Sequence, residues 1–530
     1  MRPMTSVFKY TALAAFAVVL VSLYISCSNP TGKDAYLLVT YDKNGGETDA
    51  IPKTQKINEA SGWQITDLPE EPTWEGHIFV GWNTEPGGDG EDIRENDYVL
   101  SNMTLYAQWE DGLVSVRKAG DARSQTFNDL KEALDSIAGA GSYTVKIAAD
   151  QTLASYSFSD SGTSVTIEAV TGKDVKITRT GAGNLFTVNN YADLTLGAGV
   201  TLDGASADGS GVNVSGYGSF TMNDGAISGF SGANSSGVNV GLNGTFTMND
   251  GTISGNTASA NNGGGAYVLG TFTMNDGTIN GNTANVDGGG VYVPGNFTMN
   301  GGTINGNKAS DCGGGVALSG NGTFTLDGGT ISGNKAANNG GGVYLGTAGG
   351  SRTFTFTKGV ISDNTAGSNG GGVYVEGTEQ FTMASGTIIG NTAASGGGVY
   401  TTGIFTMNGG DIGSAGKGNS AVNGGGVWVS GDGNFTMNDG TISGNMASAA
   451  GGGVYVYSAD FYKNGGTVIG YSSDSVNGNV ASSGTDGQGH AIYVLLSSTI
   501  KIMDNTAEAE VQLYSFDAFD DDLWDEIIYL

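Results

Sequence analysis

Phe246-Thr247-Met248-Asn249-Asp250-Gly251-Thr252-Ile253-Ser254-Gly255-Asn256 is one copy of a segment that returns, with small changes, at Phe220, Phe272, Phe297, Phe324, Phe354, Phe381, Phe405 and Phe435, and in degenerate form at Phe461. Neighbouring copies start 24 to 30 residues apart, and between them lies Gly-Gly-Gly-Val-Tyr-Val, as at Gly288 to Val293, Gly370 to Val375 and Gly451 to Val456. Three short strand candidates separated by glycine or asparagine turns cannot bury a core alone, so successive units have to stack. Period-two alternation puts Phe and Met on one face of Phe-Thr-Met and Thr on the other. The Ile of Thr-Ile-Ser and the two Val of Val-Tyr-Val join Phe and Met. The expected interior is therefore a column of Phe, Met, Ile and Val, with coils ~4.8 Å apart.

Asn256, Asn282, Asn307, Asn334, Asn364, Asn391 and Asn445 end successive copies, where stacked amides can hydrogen-bond from coil to coil. The glycine triplets supply the backbone freedom a sharp corner requires. The predicted fold is all-β: a right-handed parallel β-helix, or solenoid, over residues 141–510. Its composition agrees: 93 Gly and 7 Pro in 530 residues exclude an ordinary helical or α/β domain, and 38% hydrophobic residues suit a long, narrow core. The regular apolar positions argue against low-complexity disorder. The pairing of Gly-Gly-Gly-Val-Tyr with Ser-Gly-Asn-Thr-Ala resembles repeats of bacterial polymorphic outer-membrane proteins and related β-helix surface proteins, over roughly half the chain. That resemblance bears on the fold rather than on a ligand.

Upstream, residues 33–110 have few glycines outside turns and alternate as strands do. The segments Val39-Thr40-Tyr41-Asp42-Lys43-Asn44-Gly45-Gly46, His77-Ile78-Phe79-Val80-Gly81-Trp82-Asn83-Thr84 and Met103-Thr104-Leu105-Tyr106-Ala107-Gln108-Trp109 look like the three signature blocks of the Listeria-Bacteroides (internalin B-type) repeat. The resemblance implies a small β-grasp-like domain of cell-surface proteins without enzymatic activity. From the residues alone, Asn44-Gly45 is a tight hairpin turn, and Trp82 and Trp109 are core aromatics. A glycan-stacking role for Trp82 is the weaker alternative. Over residues 125–140, Phe127, Leu130, Ala133, Leu134 and Ile137 predict an amphipathic helix capped by Thr126 or Asn128 and ended by Gly139 and Gly141. Its expected place is over the open end of the solenoid.

Residues 1–26 read as an export signal: a basic start, an apolar run from Tyr10 to Ile25, then Ser26. Its end at Cys27 resembles a bacterial lipoprotein signal, although Tyr24 stands where such signals usually carry Leu. The resemblance implies lipidation of Cys27, a membrane partner through that lipid, and a place in the cell envelope, at the outer membrane or cell surface. Cys312 would then be the remaining thiol, with no disulfide. Residues 511–530, with Asp517, Asp520, Asp521 and Asp522, form an acidic C-terminal cap or tail.

The chain has 22 Lys+Arg against 52 Asp+Glu, a net charge of −30, which argues against nucleic acid as a partner. Asp224, Asp250, Asp276 and Asp439 share one turn position and suggest paired carboxylates or Ca²⁺ ligands. Glycine at the sibling positions 301 and 328 marks instead a turn preference. Lys308, Lys335, Arg352, Lys358, Lys417 and Lys463 read as isolated, mostly in turns, and His77 and His490 lack metal-binding company. No cofactor or metal is expected. If the Val residues point inward, Tyr267, Tyr292, Tyr344, Tyr374, Tyr400, Trp428 and Tyr455 form an outward aromatic ladder able to stack sugar rings or dock a protein. The alternatives are that stacked aromatics only support neighbouring strands, or that a reversed register puts them in the core. The expected function is non-catalytic: a surface binding, adhesion or structural protein with a glycan or a host or matrix protein as ligand. The alternative is a carbohydrate-active β-helix enzyme, a polysaccharide lyase or glycosidase.

Overall fold

The computed structural model describes residues 36–205, 208–232, 237–260, 262–346, 349–469, 478–482, 491–495, 499–502 and 528–529. Cys27, the signal segment 1–26, His490 and the acidic residues from Asp517 to Asp522 lie outside the described residues. The chain forms two compact units, one up to residue 149 together with 168–173, the other comprising the remainder.

In the first unit, β1 (Leu37–Asp42), β2 (Thr54–Ile57), β3 (Ile78–Asn83), β4 (Asp92–Ile93) and β5 (Met103–Glu110) form a mixed sheet in the order β2-β1-β5-β3-β4. β1 runs parallel to β5 and the other pairs are antiparallel. Alternation along β1 sends Leu37, Val39 and Tyr41 inward against Trp82, Leu105 and Ala107. The Tyr41 and Trp82 rings meet edge to face at 5.0 Å. Trp82 is buried and Trp109 half-buried, its indole N–H donating to the Lys43 carbonyl at 3.0 Å. Asn44 and Gly45 make a tight turn with φ of 45° and 93°, but it is not a hairpin turn. β1 reaches its antiparallel partner β2 only through residues 43–53, because the Asn44 amide donates to the Ala107 and Pro86 carbonyls at 2.9 and 2.7 Å and holds the turn against β5.

The same unit continues through β6 (Val114–Lys118), β7 (Gln125–Phe127), α1 (Leu130–Asp135) and β8 (Gly141–Ile147). The helix is shorter than its periodicity predicts. Residues 125–127 pair antiparallel with 114–116 instead, so the helix starts late, at Asp129, whose carboxylate accepts the Glu132 N–H at 2.8 Å. Leu130, Ala133 and Leu134 are buried as the i, i+3, i+4 spacing requires, and the helix packs on β6, β7 and β8.

The second unit is a parallel β-solenoid. Thirteen strands, one per coil from Tyr156–Phe158 to Ile492–Leu495, form one of its sheets in strict chain order. On another face, the register runs Phe220 to Phe246 to Phe272 and onward to Phe461, one Phe per coil. Their rings stack at 4.5–5.1 Å, tilted by only 4–12°. That separation is the spacing of neighbouring strands, so in-register pairing sets the ring stack. Met, Ile and Val columns complete the buried interior. At the corners, the glycine triplet is required sterically as well as conformationally: Gly340 has φ +64°, and a Cβ on Gly341 would lie 2.5 Å from the Gly371 carbonyl oxygen.

A buried column of asparagines runs from Asn256 to Asn479, including Asn419 as well as the expected members. From Asn256 to Asn445 each Nδ2 donates to the Oδ1 of the next Asn, as in Asn334 to Asn364 at 3.0 Å, and also to an Ile carbonyl, here Ile304 at 2.9 Å. The Asn backbone N–H donates to the same next Oδ1, again at 3.0 Å for Asn334. Each amide is thus satisfied by the coils around it.

The basic residues depart from expectation: Lys308, Lys335, Lys358 and Lys463 lie in strands rather than turns, and Lys417 is paired with Asp363 at 2.9 Å. Lys463 occupies the inward position held by Met in sibling coils and is 1% exposed. Arg352 is buried too. It occupies an adjacent rung to Glu379 at a position that is Gly322 and Gly403 in the flanking coils, so two neighbouring glycines are replaced by opposite charges. Arg352 Nη1 donates to Glu379 Oε1 at 2.8 Å, with side-chain exposures of 0% and 2%; the Arg352 backbone N–H donates to Glu379 Oε2, and Nη2 donates to the Gly349 carbonyl at 2.8 Å.

Losing one partner of such a pair strands a buried charge, at about 3–5 kcal/mol. Arg352→Gly and Glu379→Gly should therefore each lower the midpoint of thermal or urea unfolding more than the double variant does, a comparison a double-mutant cycle makes directly. Asn334→Leu should destabilise the solenoid by about 3 kcal/mol or more, because Asn307 N–H and Nδ2, Asn364 Oδ1 and the Ile304 carbonyl lose partners at about 1–3 kcal/mol each. Urea unfolding followed by circular dichroism measures this.

Candidate binding surface

In the thirteen-stranded sheet the Val residues flanking each aromatic face the interior: Val291 and Val293 are fully buried around Tyr292, and Val373 and Val375 around Tyr374. The aromatics therefore lie on the outer side, and the reversed register is excluded. Pairing aligns Tyr267 with Tyr292, then Tyr344, Tyr374, Tyr400, Trp428 and Tyr455, and continues to Tyr493, which the repeat reading omitted. The column is broken once, because Ala317 stands between Tyr292 and Tyr344. Upstream it becomes Asn239 and Asn213, joined amide to amide at 2.7 Å.

From Tyr344 to Tyr493 successive rings lie 4.2–5.9 Å apart and are tilted by 8–24°. Near-parallel rings at strand spacing cover one another's faces, which leaves mainly edges and hydroxyls outward; Tyr374 and Tyr455 are only 7% exposed. Tyr344 Oη donates to Glu376 Oε2 at 3.1 Å, and Tyr400 Oη shares a 2.9 Å hydrogen bond with Ser430 Oγ. Burial pushes the Tyr344 and Tyr374 hydroxyls well above the usual phenol range. They are neutral hydrogen-bonding groups at physiological pH.

The two coils carrying Tyr292 and Ala317 also carry Asp287, Asp311 and Cys312, whose ligand atoms lie within 4.8 Å of one another. Asp287 Oδ1 accepts the Cys312 N–H at 3.0 Å, the same bond that Asn262 makes to the Asp287 N–H at 2.9 Å and Asn423 to the Ala450 N–H at 3.1 Å. Asp287 thus holds a rung of a corner ladder in which a side-chain oxygen receives the next coil's N–H. The Cys312 thiol donates to Asp311 Oδ1 at 3.1 Å, and burial raises its pKa far above the usual thiol range, so it is protonated and a poor nucleophile. Asp287 is pushed up to about 6, first by burial and then by the nearby Asp311, against the opposing Cys312 N–H.

The acidic turns bend the chain. Asp224, Asp250, Asp276 and Asp439 are exposed, and each accepts the N–H of the following glycine at 2.7–2.8 Å. These glycines have φ of +82° to +98°.

Compared with known families, residues 38–108 match the Listeria-Bacteroides repeat domain and residues 236–417 match the right-handed beta helix region. The first match covers the small mixed sheet, and the second lies within the solenoid and supplies its handedness. Neither the curated proteins nor the solved structures include a significant match to the chain.

Because Asp287 has a higher pKa folded than unfolded, its ionisation opposes folding: stability falls as pH rises from about 4 to about 6 and then levels. Asp287→Asn keeps the acceptor for Cys312 N–H and removes the charge. It should raise the melting temperature at about pH 7.5 and have less effect at about pH 4.5, as scanning calorimetry at the two pH values would show.

Proposed function

We propose that this chain is a non-catalytic binding or structural protein of the cell envelope, held at a membrane by lipid on Cys27, with a glycan or a host or matrix protein as its ligand. The observation that carries the reading is the regularity of the solenoid's outer columns. The aromatic one repeats without interruption over six coils, from Tyr344 to Tyr493. A repeating face suits an extended ligand or a rigid spacer, whereas cleavage of one bond calls for an asymmetric cluster of acid, base and charge-neutralising groups. The acidic turns are engaged with their own glycine N–H groups, and the Arg352–Glu379 pair is sealed in the core.

The full chain should bind polymers on a glycan or matrix-protein array without shortening them, with and without Ca²⁺. Turnover of a polysaccharide would overturn the reading. A variant with Tyr344, Tyr374 and Tyr400 changed to Ala tests whether the aromatic column is the contact surface.

A carbohydrate-active enzyme is the second reading, favoured by one observation: Asp287 and Asp311 form a non-repeating pair in the coils where the aromatic column is broken, and the Asp287 pKa of about 6 suits a general acid. Depolymerisation abolished by Asp287→Asn and by Asp311→Asn would establish it.

A further inference from the structure

The outward residue of Phe-Thr-Met forms a second surface column, on a different sheet from the aromatics. Pairing runs from Thr166 to Thr195 to Thr221 and on, one Thr per coil, through Thr406 to Thr436: eleven rungs without a substitution. Repetition of the segment alone does not account for this. The first two rungs lie in Val165-Thr166-Ile167 and Leu194-Thr195-Leu196, where Phe-Thr-Met and the glycine triplet are both absent. Other outer columns drift. The aromatic column changes to Asn239 upstream and Ala317 midway, and the column two residues before the threonines passes through Asn296, Gln380 and Ile404.

The threonines are half-buried, with β-branched side chains standing on a regular parallel sheet. Among the described residues, only Thr436 in this column has a hydroxyl hydrogen bond within the protein, to Asn434 Oδ1 at 3.1 Å. The others keep a donor and an acceptor for something outside the chain. Rungs are ~4.8 Å apart along the axis, and the adjacent outward column lies ~6.6 Å away across the strand, so the face is a regular grid of small polar groups. Neither column carries a charged side chain between Ser219 and Thr436, although the chain as a whole has a net charge of −30.

From this face we infer the ligand class: a neutral, linear β-linked polysaccharide lying along the solenoid axis, with about one sugar per rung. The inference rests on the non-catalytic binding reading above and moves its contact surface from the aromatic column to the threonine face. Successive rings of such a polymer advance by a distance close to one rung, and their equatorial hydroxyls meet Thr Oγ while their C–H faces meet the Thr methyl groups. Charge selects in the same direction: a neutral polymer meets the uncharged threonines, whereas an acidic polymer is repelled by the exposed carboxylates of Asp224, Asp250, Asp276 and Asp439 in the turns that follow the same strands.

The test mixes the full chain, purified in detergent, with insoluble cellulose, insoluble chitin and carboxymethylated cellulose, and measures the fraction sedimented. Binding to cellulose or chitin but not to the carboxymethylated polymer is expected. A Thr273→Val, Thr298→Val, Thr325→Val variant, which keeps shape and β-propensity, should bind at least about tenfold more weakly at an unchanged melting temperature. Thr298→Ser, which keeps the hydroxyl, should bind like the unaltered chain. No binding of the unaltered chain to either neutral polymer, or binding by the triple Val variant within about twofold of it, would overturn the inference. Loss of binding only in the Tyr344, Tyr374, Tyr400 variant would overturn it too while leaving the binding reading intact. Release of soluble sugar would overturn both.

Discussion

Parallel strands one coil apart pair in register, so a side chain at a given position lies directly over its counterpart in the next coil. The rest of the solenoid depends on that constraint. It turns ten phenylalanines separated by 24 to 30 residues into one continuous stack, and the asparagines ending the copies into one hydrogen-bonded column. An ordinary domain buries a polar amide only where the surroundings happen to complement it. Here the complement is another asparagine, supplied by repetition, and burial of polar atoms stabilises stacking instead of opposing it.

The same constraint explains what was legible in the sequence. Phe246 and Ile253 could be placed inside from alternation, and Asn256 in a coil-to-coil stack from its spacing, because position within a copy determines position within a coil; that the asparagine stack is fully buried was not legible. The small N-terminal sheet was legible through Trp82 and the three blocks that surround it. Contacts made by only one or two rungs were not. Glu379, between Thr378 and Gln380, looks like part of a surface turn, and nothing nearby in the sequence announces that Arg352, 27 residues earlier, is its buried partner. The late start of α1 depended on a strand pairing between residues 114–116 and 125–127, which helical periodicity does not register.

On the surface, alternation identified the outer face of the aromatic strands but not the state of the rings. Once stacked, Tyr374 and Tyr400 lie 5.2 Å apart and tilted by 8°, so each occupies much of the other's face. The aromatic column therefore contributes first to cohesion between coils, whereas the half-buried threonines other than Thr436 leave their hydroxyls without partners among the described residues. The break at Ala317 coincides with the coils in which Asp287 and Cys312 occupy the corner position that Asn262, Asn339, Asn369 and Asn423 hold in other coils, so two columns depart from the repeat together.

The asparagine column also has a direction. From Asn256 to Asn445 every amide gives an N–H to the asparagine of the C-terminal coil and takes one on its oxygen from the N-terminal side, so the side-chain dipoles add head to tail along the axis. At one end the Phe230 N–H meets the Asn256 oxygen, and at the other the Ile469 carbonyl receives the Asn479 amide. The core is thus an electrically polar wire with unlike ends, and a new coil joined at either end must match the sign of the terminus it meets.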